Sequence, residues 1–233
     1  MWIILVFCHS LERALKVEWL GLKCCHGSRM RGKMEVNIQQ ILDNMMKRVD
    51  QLTYIRTEEI PNIELYMDQV LTFMNERLRH TTRNPEEDKI LTKTMINNYA
   101  KSDLLPPPNR KKYSKDHILL LLFIYYFKGV LSINDTREIL GNISEKWFDG
   151  KNDYGLEDIY NEVFRMEPGQ IELLRKDIYD KFSLAETTFA EAPEDAQEFL
   201  RFFSFICLLS FDVYVKRMLI ESAIDELCCW KKR

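Results

Sequence analysis

From Ile118 to Ile124 the chain carries seven apolar residues in succession, followed at once by Tyr125, Tyr126 and Phe127. A helix of that composition has no polar side to turn to water, so other elements must enclose it. The run is too short to span a bilayer. Ser114 supplies an N-cap and Gly129 a stop, which predicts a central core helix over Lys115–Lys128. The 233 residues suffice for one large domain or two small ones built around it.

The flanking sequence reads as helix after helix. Met34–Gln51 sets Ile38, Ile41, Leu42, Met45 and Val49 at helical spacing, and Asn62–Leu78 does so with Ile63, Tyr66, Met67, Val70, Met74 and Leu78. Pro85 marks His80–Asp88 as a loop. Leu91–Ser102 predicts a short helix capped by Thr92 and stopped by Leu104-Leu105-Pro106-Pro107-Pro108. Ser132 and Asp135 form a capping box for a helix over Ile133–Leu140 that Gly141 ends.

Beyond that point the composition turns acidic: residues 142–200 hold fifteen acids and six bases. Two amphipathic helices split near Pro168-Gly169. The first carries Leu156, Ile159, Tyr160 and Val163, the second Ile171, Leu174, Ile178 and Phe182. After a Thr/Ala loop, Pro193 at N1 opens a long final helix to about Cys229. The apolar run Phe202–Phe211 reads as a buried core helix, and Phe199, Phe202, Phe203, Phe205 and Phe211 as core or a dimer face. No alternating strand run is present, which leaves at most a short β-ribbon wing around residues 105–114. The expected fold class is therefore all-α.

Residues 1–33 read differently. They hold six bases against two acids, three of the six Cys and two of the four His. They are expected to be an extension preceding a natural start at Met34, the alternative being an amphipathic helix over Trp2–Leu20. Trp2–Cys8 is too short for a membrane span and lacks the basic region of a signal peptide. The six Cys lie at 8, 24, 25, 207, 228 and 229, a spacing that suits neither a disulfide framework nor a zinc site. Reduced thiols in a cytoplasmic protein are expected, with no metal and no cofactor. No nucleophile–base signature or Gly-rich phosphate loop is present, and His117 reads as a helix-start residue, so an enzyme is not expected.

The formal net charge of −3 excludes a uniformly basic nucleic-acid coat. Residues 91–117 nevertheless hold Lys93, Lys101, Arg110, Lys111, Lys112 and Lys115 against Asp103 and Asp116, a local excess of +4. Such asymmetry points to a polyanion site. On the helix after Thr92, Ile96, Tyr99 and Ala100 share one face. Lys93, Asn97 and Lys101 form an i, i+4 row on the other, with Thr94 and Asn98 beside it. Asn can pair bidentately with adenine, while Lys reaches guanine or phosphate. Thr92 and the helix N-terminus suit a phosphate, and Arg110, Lys111 and Lys112 would supply backbone charge. A merely solvated helix face is the competing reading.

Leu91-Thr-Lys-Thr-Met-Ile-Asn-Asn-Tyr-Ala-Lys-Ser-Asp-Leu-Leu-Pro-Pro-Pro108, then Lys112-Tyr113-Ser114, Leu131-Ser132-Ile133 and Ile139-Leu140 resemble the MerR family winged helix-turn-helix. The resemblance covers about residues 60–141. It implies that Thr92 caps a recognition helix, Tyr99 closes it, Leu105-Pro106 forms its exit, and Arg110–Tyr113 forms the wing. The chain departs from that pattern with Asn at 97 where the family usually has Arg, with a short wing lacking Gly-Tyr-Arg, and with a longer loop after the first helix. Pro61-Asn-Ile-Glu-Leu-Tyr-Met-Asp-Gln-Val70, Leu91–Tyr99 and Lys112-Tyr-Ser-Lys-Asp-His117 resemble the bacterial domain of unknown function 1836 family, which implies no ligand and no target.

The expected organisation is an extension at 1–33, an N-terminal helix at 34–59, a MerR-like DNA-binding domain at 60–141, and a helical dimerisation or sensor region at 142–233. The expected function is a bacterial transcriptional regulator. It would bind double-stranded DNA as a homodimer through Thr92, Lys93, Thr94, Asn97, Asn98, Lys101, Arg110, Lys111 and Lys112. The alternative is a non-catalytic protein-interaction module on the same fold.

Overall fold

The computed structural model describes residues 37–150 and 154–231, and the expectations for residues 1–33 lie outside them. In order come α1 (Ile38–Asp50), β1 (Leu65–Tyr66), α2 (Met67–Leu78), α3 (Lys93–Lys101), β2 (Lys112–Tyr113), α4 (Lys115–Phe127), α5 (Ile133–Trp147), α6 (Leu156–Phe164), α7 (Glu167–Glu186) and α8 (Glu194–Lys231). The described chain is predominantly helical, as its periodicity predicts.

Helix α4 is the centre. His117 through Ile124 are all buried, and one apolar cluster gathers around them from Ile55 to Tyr160. Each enclosed Leu, Ile or Phe contributes about 1.5–3 kcal/mol relative to exposure, so α4 organises the packing. Phe123, Tyr160 and Phe164 pack against one another, tilted or edge-on, at ring separations of 4.4–5.9 Å. The buried Tyr160 hydroxyl donates to the Ile55 carbonyl at 2.9 Å, which satisfies its one polar atom. A second, smaller cluster joins Leu42 and Met46 of α1, Ile178, Phe182 and Ala185 of α7, and Phe205 of α8.

Several boundaries differ from expectation. The helix anticipated over Asn62–Leu78 begins only at Met67, because Leu65 and Tyr66 form β1 and pair antiparallel with Tyr113 and Lys112. The Tyr66 N–H donates to the Gln69 side chain at 2.8 Å, which fixes the helix start there. The ribbon thus joins residues 112–113 to a distant strand instead of closing within 105–114. Helix α5 does not stop at Gly141 but continues to Trp147. A mid-helix Gly costs only about 1 kcal/mol, and the turns beyond it bring Ile143 and Phe148 onto the core.

The final helix also corrects an expectation. Within Phe202–Phe211 only Phe205 is buried, so this run is not a core helix in the single chain. Lys181 of α7 bonds both Asp177 and Asp212, the latter at 2.8 Å, and pins α7 to the middle of α8. No helix among the described residues is long and apolar enough to cross a membrane.

Candidate nucleic-acid interface

Helix α3 is positioned from both ends. Thr92 accepts a hydrogen bond from the Met95 N–H at 3.2 Å, the expected cap. Just upstream, the Ile90 N–H donates to the Asn75 side chain at 3.0 Å, and the Ile90 carbonyl accepts from Lys128 Nζ at 2.9 Å. These bonds tie the start of α3 to α2 and α4.

The C-terminus of α3 stops for a reason other than proline. Asp103 takes a left-handed conformation with φ 55°, while the Leu104 N–H reaches the Tyr99 carbonyl at 2.9 Å and the Asp103 N–H reaches that of Ala100 at 3.3 Å. That is a Schellman closure, with Leu104 and Tyr99 both buried as its apolar contact. The prolines lie beyond a helix already ended.

The faces of α3 sort as expected. Ile96 and Tyr99 are buried, and burial pushes the Tyr99 hydroxyl pKa up. Lys93, Thr94, Asn97, Asn98 and Lys101 are exposed. Among the described residues, the side chains of Thr94, Asn97, Asn98 and Lys101 have no hydrogen-bond or ionic partner. Lys93 does have one: its Nζ lies 2.7 Å from Asp68 in the first turn of α2.

The basic segment 109–113 is not extended. Asn109 and Lys112 close a tight turn through a 2.9 Å bond from the Lys112 N–H to the Asn109 carbonyl. Arg110 and Lys111 occupy its tip with φ of 49° and 66°, the sign pattern of a type I′ turn. Neither is Gly or Asn, so the conformation costs about 1 kcal/mol or more per residue. Both side chains are exposed and without an ionic partner among the described residues. The Lys112 ammonium stands over the Tyr66 ring, 5.7 Å from its centroid. Lys115, counted in the local charge excess, is neutralised by Glu157 at 2.7 Å.

Two residues that the sequence reading did not place in the site organise this surface. Tyr66 underlies Lys112, and Asp68, two residues on, holds Lys93. The first turn of α2 is therefore the common abutment of the α3 face and the basic turn. The only sequence signal was adjacency to a helix start, which does not name a distant partner.

His117 is structural. Its Nδ1 accepts from the Ser114 N–H at 3.0 Å, completing the cap of α4. Its ring packs edge-on to Tyr113 and Phe148 at 5.4 and 4.8 Å. Burial pulls its pKa below the usual range, opposed by the nearby Pro107 and Pro106 carbonyls and by Asp149 and Glu64. No group of three or more metal-ligating side chains occurs among the described residues.

A helical protein with two apolar clusters, a two-residue ribbon and a polar helix face on which Thr94, Asn97, Asn98 and Lys101 have no partner among the described residues is the class these features define. Residues 55–163 match the family model of the Domain of unknown function (DUF1836). The matched segment coincides with the main apolar cluster, Ile55 to Tyr160. No curated protein and no solved structure matches the chain.

Proposed function

We propose that the protein is a bacterial DNA-binding transcriptional regulator with a MerR-like winged helix-turn-helix. Helix α3 enters the major groove while the Arg110–Lys111 tip rests on the adjacent backbone. The observation that carries this reading is the juxtaposition at the first turn of α2, where a partner-free amide and hydroxyl face adjoins a strained, doubly cationic turn. Two amides, a hydroxyl and Lys101 supply donors and acceptors for base edges. Arg110, Lys111 and Lys112 supply phosphate charge, which positions the protein without reading sequence. One short reader helix per chain favours action as a homodimer on paired half-sites.

Binding of genomic fragments, titrated against salt, tests the proposal. Lys111→Ala with Lys112→Ala weakens binding to all sequences and lowers the salt slope by roughly one to two. Asn97→Ala and Asn98→Ala leave the slope alone and cost about 1–3 kcal/mol on the preferred site only. If both Asn variants bind that site like the wild type, α3 is not the reader and a protein-interaction module becomes the better account.

A further inference from the structure

A cavity of about 260 Å³ lies between the first turn of α1, the end of α7 and the start of α8. Two of its walls are single helix faces. Phe182, Ala185 and Glu186 of α7 stand at i, i+3 and i+4, and Glu198, Arg201 and Phe205 of α8 at i, i+3 and i+7. Phe182 and Phe205, buried and edge-on at 5.5 Å, supply its apolar part. Glu186 and Glu198 are exposed, so the cavity reaches solvent.

The charged groups that line it do not satisfy one another. Glu198 and Arg201 have the spacing of a helical ion pair, yet Arg201 turns elsewhere. Its Nε donates to the Thr188 carbonyl at 3.2 Å and its Nη2 to the Gln197 side chain at 3.1 Å. Those bonds hold the guanidinium in place and leave Nη1 uncommitted. Among the described residues neither Glu186 nor Glu198 has a hydrogen-bond or ionic partner. A space with an apolar floor and a few unpaired polar groups converging on it is the usual form of a small-ligand site.

We infer that this cavity binds a small α-amino acid with an aliphatic side chain. Its carboxylate meets the free edge of Arg201, its ammonium meets Glu198 and Glu186, and its side chain lies on Phe182 and Phe205. The spacing suits such a ligand, because residues three apart on a helix have Cβ atoms only about 5–6 Å apart. An α-amino acid likewise carries its two charges on one carbon. Charge selects the zwitterion. A plain amine leaves the Arg201 cation unanswered, and a plain acid meets two carboxylates. The cavity lies below the roughly 300–1,000 Å³ of drug-sized ligand sites, which sets the ligand at about ten non-hydrogen atoms. The inference does not rest on the DNA-binding reading, and a failure to bind DNA leaves it standing.

Calorimetric titration of the full chain with L-leucine tests it, beside three analogues that each lack one feature. These are 3-methylbutylamine without the carboxylate, 4-methylpentanoate without the ammonium, and glycine without the side chain. L-leucine is expected to bind saturably, and each analogue about tenfold more weakly or worse, the loss of one charge-assisted bond or of the apolar contact. Glu186→Gln combined with Glu198→Gln is expected to weaken L-leucine binding about tenfold while leaving 4-methylpentanoate no weaker than before. Both residues are exposed and unpartnered, so the unliganded double variant is expected to melt like the wild type. Ala185→Leu, which fills the cavity, is expected to abolish binding, and the double Gln variant decides the matter if Ala185→Leu does not fold. No saturable binding of L-leucine at millimolar concentration would overturn the inference. So would an amine that binds as tightly as L-leucine, or a double Gln variant that binds L-leucine like the wild type.

Discussion

Lys93 Nζ lies 2.7 Å from the Asp68 carboxylate, which ties the first turn of α3 to the first turn of α2. Both side chains are mostly exposed, so the pair contributes no more than about 1 kcal/mol to stability. Its larger effect is on charge. Asp68 neutralises the α3 cation nearest Thr92 and places a carboxylate beside the proposed DNA face. Asp68→Asn is expected to leave the melting temperature nearly unchanged, to tighten DNA binding, and to steepen the salt slope by about one, the increment of one added phosphate contact. A variant that binds more weakly than wild type would show that Asp68 orients Lys93 instead of competing for it.

The Asn109–Lys112 turn sets stability against charge. Type I′ turns favour Asn-Gly at the two central positions because both take positive φ. Here Arg110 and Lys111 take those values. Arg110→Asn combined with Lys111→Gly is expected to raise stability by about 1–2 kcal/mol in urea unfolding. If the proposed DNA contact is made there, the same double variant is expected to lose affinity for every DNA and to flatten the salt slope by about two. No gain in stability would mean that the surrounding chain dictates the turn whatever its residues.

What could be read from the sequence was local. The central helix follows from Ile118–Ile124, the α3 faces from the spacing of Ile96 and Tyr99, and the caps from Thr92, Ser114 and Ser132. Interactions between distant positions were not legible. A two-residue strand has no alternation to detect, so Leu65–Tyr66 merged with the helix that follows it. The left-handed backbone at Asp103, Arg110 and Lys111 carries none of the Gly or Asn that would announce it. Lys93 and Lys115 counted as free cations because their acids, Asp68 and Glu157, are remote in sequence. The aromatic series in α8 divides into inner and outer members by what packs against it, and composition is silent on that.

That division is measurable. Phe205 is 1% exposed and fills the smaller core against Phe182, Leu42 and Met46. Phe205→Ala is expected to destabilise the protein by about 3–5 kcal/mol, the range for emptying an aromatic core site. Phe211, on the same helix, is 60% exposed, and Phe211→Ala is expected within about 0.5 kcal/mol of wild type. Equal losses in thermal denaturation would show that Phe211 is covered by something other than the described residues.

His117 makes stability depend on pH. Its Nδ1 accepts the Ser114 N–H, its ring is buried, and burial lowers its pKa in the folded state against the opposing pull of the Pro107 and Pro106 carbonyls. The unfolded chain therefore takes up a proton near the ordinary histidine pKa of about 6.5, while the folded chain refuses it until a lower pH. Below that ordinary value protonation favours unfolding, so this group's contribution is complete above it and declines as pH falls toward the folded-state pKa. Asp116 next door works in the opposite sense, since burial raises its pKa and the folded state takes its proton first. His117→Gln retains a side-chain acceptor at the third helical position for the Ser114 N–H but removes the titration. Urea midpoints at pH 7.5 and 5.5 are expected to fall less between the two in His117→Gln than in wild type. An equal fall in both proteins would assign the acid sensitivity to carboxylates and leave His117 with a capping role alone.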